Sequence, residues 1–292
     1  MSITVGIVME RTGRALNPLI DKSVFILREV KARFKNPAIL WSTGKDSTCT
    51  IHMAKFMAFN GTLDWPVVHM DTGYKFPQIY EFRDKIAKEW DLNLIVAKRP
   101  SIHQPDNHLE CCFERKTLAL KNLFVKEKYD AVIVSIRWDE HPIRGMERYF
   151  SPRDQKWHWN VVREKSEEEL KEGDAPYVSL TDTELAGWNI YATDFGPECS
   201  HVRVHPILHW TEVEMWQYMK LEDIPFNPLY LSNGQTRYRS LGCMPCTKSV
   251  KSTASNIDEI IEELVISKTA ERAGRLNTKE DNMQKLRMLG YM

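Results

Sequence analysis

Residues 38–50 read AILWSTGKDSTCT, where a short apolar run is followed at once by small, hydroxylated residues around a Gly-Lys-Asp centre. Residues 38–41 have the apolar character of a buried strand, and apolar residues return at helical spacing over 49–59. The first N–H groups of a helix are unpaired and its dipole favours an anion, while Gly44 permits close backbone approach and Lys45 adds positive charge. The stretch predicts a phosphate-binding turn, and a plain strand-to-helix turn is the alternative.

The same alternation of apolar strands and amphipathic helices continues along the chain. The pattern predicts helices over 19–34, 49–59, 77–90 and 114–128, and strands over 38–41, 66–70, 93–97 and 131–136. Short continuous apolar strands separated by such helices are typical of a parallel sheet covered on both faces. We therefore predict an α/β fold with a doubly wound, mainly parallel sheet, whose ligands bind at the carboxyl ends of the strands.

The second half of the chain is less regular. Residues 149–200 break the rhythm, and we interpret 155–200 as an insertion, either a solvated excursion or a lid or partner surface. Order resumes at 202–207, then a capping box formed by Thr211 and Glu214 predicts a helix. The predicted organisation is an N-terminal extension (1–18), a nucleotide domain (19–250) and a C-terminal helical tail (251–292), with a helix at 256–267 and a polar end at 278–292.

Composition excludes several classes of protein. The 292 residues include forty basic and forty acidic side chains, so no global field attracts nucleic acid or an anionic membrane. The most apolar stretches are far shorter than a bilayer span, and the N-terminus lacks a basic segment followed by an apolar one. We expect a soluble, cytoplasmic protein with no membrane partner.

Four of the six cysteines fall in two close pairs. Cys111-Cys112 and Cys243-x-x-Cys246 are separated by about 130 residues, and in a reducing compartment such pairs favour metal or redox chemistry over disulfides. Together they could hold zinc or an iron–sulfur cluster, with unligated buried thiols as the alternative. Cys49 is expected to be a small buried side chain, and no role is assigned to Cys199.

The motif SxGKDS after a strand resembles the pyrophosphate loop of the N-type ATP pyrophosphatases, and longer blocks resemble the small, catalytic subunit of sulfate adenylyltransferase. The resemblance covers most of the chain apart from 1–18 and 160–200, and implies an adenine nucleotide α-hydrolase-like fold. The blocks that carry it include SVFILREVKARFKNPAILWSTGKDST, VVHMDTGYKFPQIYEFRD, IRWDEHPIRGMERYFSPRD, RVHPILHWTEVEMWQYMKLEDIP, RYRSLGC and ERAGRL.

The resemblance implies particular site residues. The loop would bind the pyrophosphate of ATP through Ser42, Thr43, Gly44, Lys45, Asp46, Ser47 and Thr48. Asp46 could also hold Mg²⁺, and Asp71 and Gly73 would contact the nucleotide. Arg137, Asp139, Arg144 and Arg148 would surround the phosphate and the oxyanion. Catalysis is assigned to Lys45, Asp46, Arg137 and Arg144, because cations that converge on the α-phosphate would stabilise its developing charge.

The two cysteine pairs look like the [4Fe–4S] ligands of assimilatory adenylylsulfate reductases, so we expect Cys111, Cys112, Cys243 and Cys246 to hold such a cluster, with zinc as the second choice. Those reductases use a cysteine in a C-terminal tail as nucleophile, whereas no cysteine follows Cys246 here. This difference argues against reductase activity.

The resemblance implies an enzyme that converts ATP and sulfate to adenylylsulfate and pyrophosphate, coupled to a GTPase-type large subunit. The alternative is an iron–sulfur ATP pyrophosphatase of DNA phosphorothioate modification, working with a cysteine desulfurase and DNA-modification proteins. A sulfonucleotide reductase and a non-enzymatic nucleotide-binding subunit are weaker hypotheses, and a homodimer is left open.

Overall fold

A computed structural model of the protein describes residues 2–98, 108–141, 144–145, 147–158, 195, 199–267 and 270–274. Its centre is a six-stranded sheet in the order β3-β2-β1-β4-β6-β5. The strands are β1 (Pro37–Leu40), β2 (Val67–Asp71), β3 (Leu94–Lys98), β4 (Ala131–Ile133), β5 (Phe150–Arg153) and β6 (His201–Val204). All neighbours are parallel except β5 and β6, so the predicted mainly parallel sheet is confirmed.

Helices connect these strands. They are α1 (Ser2–Arg33), α2 (Lys45–His52), α3 (Pro77–Glu89), α4 (His108–Cys112), α5 (Ala119–Glu127), α6 (Glu212–Leu221) and α7 (Ile257–Ile266). Helix α2 continues into a π-helical segment, Met53–Ala58, and Phe113–Leu118 joins α4 to α5 in the same way. The predicted capping box at the start of α6 is present: the side chain of Thr211 accepts from the N–H of Glu214, and the side chain of Glu214 accepts from the N–H of Thr211.

Helices cover both faces of the sheet, as the doubly wound class requires. The larger apolar core includes Leu27 of α1, Ile51 of α2, Trp216 of α6 and Ile260 of α7. A smaller core on the other face packs Val68 and Val132 against α5. The order of the strands reverses between β1 and β4, and a ligand crevice is expected there, outside the carboxyl ends of these two strands.

Several predicted boundaries were wrong. Helix α2 begins at Lys45 and not at 49, because the sequence KDST forms its first turn. Cys111 and Cys112 lie within α4, since the helix predicted from 114 already begins at 108. The helix predicted from residue 19 already begins at Ser2, as α1, and contains Pro18.

The stretch assigned to irregular structure contains an ordered strand. Strand β5 pairs antiparallel with β6 and closes the edge of the sheet, with Ser151 opposite Arg203. The polar side chains of Ser151 and Arg153 are buried in this strand, as is Phe150. The usual alternation of buried apolar and exposed polar residues is therefore absent from its sequence. Residues 159–194 of the predicted insertion and the polar end at 278–292 lie outside the described residues.

A two-stranded sheet lies apart from the main one, with Thr236–Arg237 (β7) paired to Val250–Lys251 (β8). The buried guanidinium of Arg237 donates to Glu263 of α7 at 2.7 Å, which ties this small sheet to the C-terminal helix. Among the helices that the structure describes, none has the length and apolar composition needed to cross a bilayer.

Candidate active site

The turn after β1 is tightly built around Gly44. Thr43 adopts a left-handed backbone conformation, with φ of 65°, and directs the chain into α2. A Cβ atom at Gly44 would lie 3.2 Å from Ser42 Oγ and 3.3 Å from the Tyr230 hydroxyl. That hydroxyl accepts a hydrogen bond from the N–H of Lys45 at 3.0 Å, so it satisfies one of the unpaired donors at the helix start. A side chain at this position would press on both neighbours, so glycine fits the turn best.

The hydroxyls of this turn have different surroundings. Ser42 Oγ and Ser47 Oγ lie 3.0 Å apart, and both residues line the cavity described below. Thr48 Oγ1 instead accepts from the Trp41 indole at 3.1 Å and donates to the Gly44 carbonyl at 2.9 Å. Thr43 Oγ1 donates to the Ser42 carbonyl at 2.6 Å. Ser42 and Ser47 therefore face the candidate site, while Thr43 and Thr48 hold the shape of the turn.

The side chains of Lys45 and Arg137 form a buried cation pair at the carboxyl ends of β1 and β4. Lys45 Nζ donates to Asp46 at 3.2 Å and makes a short ion pair with Glu271. Arg137 donates from Nη1 to Asp46, from Nη2 to Glu271 and from Nε to Asp139, the last at 2.9 Å. Two carboxylates, Asp46 and Glu271, thus bridge both cations.

The electrostatic effects within this cluster reinforce one another. Burial would lower the pKa of Lys45, but the carboxylates of Asp46 and Glu271 outweigh burial and raise that pKa above its usual value. Burial would raise the pKa of Glu271, yet Arg137 and Lys45 hold it well below its usual range. The same carboxylates raise the pKa of Arg137 despite its burial. Lys45, Arg137 and Glu271 are therefore charged at neutral pH.

Further polar contacts surround the cation pair. Asp139 accepts from the N–H of Glu212 at 2.9 Å, which places the start of α6 beside the site. The Glu212 carboxylate binds the Arg239 guanidinium at 2.7 Å and lies 4.0 Å from Lys45 Nζ. In the structure Asp139 contacts Arg137 and the start of α6, and its binding of the nucleotide stays a prediction.

A cavity of about 240 Å³ opens from this cluster. Apolar side chains from β1, β2, α5 and the end of β4 form much of its wall, namely Leu40, Val68, Met70, Leu120, Val134 and Ile136. Two hydroxyls, Thr117 Oγ1 and Ser135 Oγ, are buried in this lining with no hydrogen-bond partner among the described residues. Apolar walls with a few convergent polar groups suit a small ligand with a flat, partly polar ring.

Of the other predicted site residues, one lines the cavity and three do not. Arg144 lines the cavity and pairs with Glu140. Asp71 accepts from the N–H of Gly73 at 2.9 Å and from the Tyr80 hydroxyl at 2.8 Å, and neither Asp71 nor Gly73 is among the described lining residues. Arg148 also lies outside that lining, where its carbonyl contacts Nδ1 of His205.

Several residues of the site were not predicted from the sequence, among them Tyr230, Glu271, Arg272 and Glu140. All four line the cavity, and Arg272 donates to Glu140 at 2.9 Å. Glu271 and Arg272 open the block ERAGRL, which carries part of the family resemblance, so that block was the available signal.

The four paired cysteines lie within electrostatic reach of one another. Cys243 Sγ lies 3.2 Å from the Thr72 hydroxyl, and the backbone at Cys243 bridges to Lys75. Burial raises the pKa of the Cys246 thiol, and the neighbouring thiols of Cys243, Cys112 and Cys111 raise it further. Within the described part of the chain, no group of three or more Cys, His, Asp or Glu side chains is arranged so that it could hold a metal ion.

The site and its sheet belong to a known class of domain. The pattern that defines the phosphoadenosine phosphosulfate reductase domain matches residues 36–249. The fold is similar to yeast FAD synthetase, with a TM-score of 0.56, 14% identity and 90% of each chain covered. It is also similar to Candida glabrata FMN adenylyltransferase, with a TM-score of 0.53, 14% identity, and 97% of this chain and 86% of that chain covered. These likenesses confirm the predicted adenine nucleotide α-hydrolase-like fold.

Whole-chain relatives narrow the class. Sulfate adenylyltransferase subunit 2 of Zymomonas mobilis is 34% identical, over 94% of this chain and 97% of that protein. The protein of the same name from Colwellia psychrerythraea is 33% identical, over 94% and 98%. The chain belongs to the sulfate adenylyltransferase subunit 2 family, a nucleotidyltransferase family of sulfur metabolism, and the resemblance predicted from the sequence is confirmed.

Proposed function

We propose that this chain is the catalytic subunit of a sulfate adenylyltransferase. A sulfate oxygen attacks the α-phosphorus of ATP, the bond from that phosphorus to the bridging oxygen of the β-phosphate breaks, and adenylylsulfate and pyrophosphate are formed. The observation that carries the proposal is the buried cation pair of Lys45 and Arg137 beside the turn after β1, which is bridged by two carboxylates that line the cavity, Asp46 and Glu271.

The chemical roles follow from charge and position. Attack on the α-phosphate adds negative charge to its oxygens, and fixed cations in a site shielded from water stabilise that charge. Ser42, Ser47 and the cations of Lys45 and Arg137 would bind the β- and γ-phosphates, and Arg144 would face the α-phosphate and the sulfate. The apolar walls and the hydroxyls of Thr117 and Ser135 suit the adenine ring.

The family also implies Mg²⁺. Asp46 offers carboxylate oxygens beside the proposed phosphate position, and Mg²⁺ usually binds through one or two carboxylates together with substrate phosphates. When bound with ATP, the ion would neutralise phosphate charge. In the structure the carboxylates of Asp46 and Glu271 bind Lys45 and Arg137. Some of these ion pairs would have to be replaced by contacts with the ion and the phosphates when the ligand binds.

We also propose that Cys111, Cys112, Cys243 and Cys246 hold a [4Fe–4S] cluster. The support is the pattern of an adjacent cysteine pair and a Cys-x-x-Cys pair, and besides burial the thiols of Cys112 and Cys243 help to raise the pKa of Cys111 and Cys246. Cys111 and Cys112 lie in α4, and Cys243 directly follows Gly242, a residue that lines the cavity. The cluster would therefore support the cavity wall, with zinc as the weaker proposal.

We propose that the partner of this chain is a GTPase-type large subunit in the cytoplasm. The formation of adenylylsulfate from ATP and sulfate is strongly unfavourable on its own, and coupling to GTP hydrolysis would drive it. The test is pyrophosphate release from ATP by the purified complex, with and without sulfate. Sulfate-dependent release supports the proposal. Release that ignores sulfate but requires a desulfurase and DNA-modification proteins would replace it with the phosphorothioation alternative, which the four thiols favour.

A further inference from the structure

The carboxylate of Glu271 occupies the position where the proposed function requires phosphate oxygens. One of its oxygens binds Lys45 Nζ and the other binds Arg137 Nη2. Its side chain is only 5% exposed and lines the cavity beside Ser42 and Ser47. A carboxylate that bridges both cations at the phosphate loop is therefore an internal substitute for a ligand anion.

Ligand phosphates can reach this cation pair only by replacing existing carboxylate contacts. Each nitrogen of the Arg137 guanidinium already donates to a carboxylate, to Asp139 from Nε, to Asp46 from Nη1 and to Glu271 from Nη2. Asp46 is adjacent to Lys45 in α2, and Asp139 also accepts from the backbone of Glu212. These two carboxylates are built into the elements that form the site.

Glu271 differs because it comes from a remote part of the chain. It is separated from Lys45 by 226 residues and from Arg137 by 134 residues, and it begins a short 3-10 turn, Glu271–Gly274. The neighbouring Arg272 binds Glu140 at 2.9 Å, a second contact of the same turn with the cavity wall. Glu271 is thus the contact that can be exchanged without dismantling α2 or the loop after β4.

We propose that Glu271 is a specificity-determining residue, which reserves the Lys45–Arg137 cation pair for polyphosphates and excludes simple oxyanions such as sulfate. Sulfate offers a single tetrahedral group, so it gains little by replacing two carboxylate contacts. Pyrophosphate and the β,γ-phosphates of ATP carry more charge and reach the loop hydroxyls as well, so they displace Glu271. This inference rests on the proposed function, in which sulfate is a substrate that must not occupy the phosphate position.

The proposal is tested by calorimetric titration of the full chain with inorganic pyrophosphate, alone and in the presence of sulfate. Wild-type protein is compared with E271Q, which removes the competing charge, and with E271D, which keeps it. We expect E271Q to bind pyrophosphate roughly tenfold tighter, because the fraction of molecules open to the ligand rises. Sulfate should weaken pyrophosphate binding in E271Q and leave wild type and E271D nearly unchanged.

The outcomes separate the two hypotheses. Weaker pyrophosphate binding by E271Q, or equal competition by sulfate in wild type and E271Q, would overturn the role of Glu271 while leaving the phosphate loop intact. Failure of pyrophosphate to bind any of the three proteins would overturn the proposed function itself. Amide hydrogen exchange tests the proposal in the wild-type protein without any mutation. The exchange rate of residues 271–274 should rise when pyrophosphate is added, because Glu271 leaves the cation pair. Slower exchange at these residues would contradict the displacement of Glu271.

Discussion

Arg137 donates from Nη1 directly to the carboxylate of Asp46, which joins the loop after β4 to the first turn of the helix after β1. These two strands are neighbours in the sheet, at the point where the strand order reverses. The contact brings together Arg137, in the loop after β4, and Asp46, in the turn after β1, although the two residues are 91 positions apart in the chain. Its strength comes from burial, because the Arg137 side chain has no exposed surface.

Arg137→Lys should lower the rate of sulfate-dependent pyrophosphate release by roughly 100-fold, because an ammonium cannot reproduce three directed donors around developing phosphate charge. The measurement is kcat for the complex with its partner subunit. R237K is the matched control, since Arg237 is equally buried but pairs with Glu263 outside the cavity. The control should lose thermal stability and keep its rate. Equal rate losses in the two variants would refute a catalytic role for Arg137.

Thr117→Val should weaken AMP binding roughly tenfold and leave pyrophosphate binding unchanged. The variant keeps the shape of the side chain but removes a hydroxyl that is buried in the cavity wall without a described partner, where a ligand hydrogen bond would contribute about 1 to 1.5 kcal/mol. S135A should behave in the same way. Titration calorimetry with both ligands decides, and a parallel loss of pyrophosphate affinity would point to a general distortion of the cavity.

Acid should destabilise the protein through its buried histidines. Burial, assisted by Lys75 and Arg83, lowers the pKa of His69 to about 3, and burial lowers that of His205 to about 4. In the unfolded chain both protonate near pH 6.5, so the unfolded state binds more protons below that pH. The free energy of unfolding should therefore fall as pH drops from 6.5 towards 4, by up to about 1.4 kcal/mol per pH unit for each histidine.

The measurement is urea unfolding between pH 4 and 8. His69 donates from Nδ1 to the Trp41 carbonyl at 3.0 Å, and His69→Gln retains a donor for that carbonyl. The H69Q variant should show a shallower decline of stability over the acidic range. A decline as steep as that of wild type would mean that other groups dominate the acid sensitivity.

Cys243→Ser should eliminate bound iron and the visible absorbance of anaerobically purified protein, because one of four proposed thiolate ligands is lost. C49A is the matched control. Cys49 is fully buried in α2, with Sγ 4.0 Å from the Met215 carbonyl, and has no place in the proposed cluster. Its variant should retain iron. Colourless, iron-free wild-type protein would contradict the cluster, and zinc in that sample would favour the second choice.

Much of the architecture could be predicted from the sequence because its signals are local. Continuous apolar runs predict buried parallel strands, and the Gly-Lys-Asp turn between a strand and a helix predicts an anion site, without knowledge of distant residues. Boundaries were less accurate at α2 and α4, where polar residues and cysteines occupy a first helical turn that apolar periodicity does not mark. Strand β5 was missed because its buried polar residues hide the strand pattern.

By itself, the sequence of this protein determined the alternation of strands and helices along the chain and the family, and it predicts the phosphate-binding turn. Only the tertiary structure decided that Glu271 bridges Lys45 and Arg137, that Asp139 positions α6, and that Thr48 supports the turn. The physical reason is that a charged group's role depends on which opposite charges share its low-dielectric surroundings, and those partners here lie up to 226 residues away.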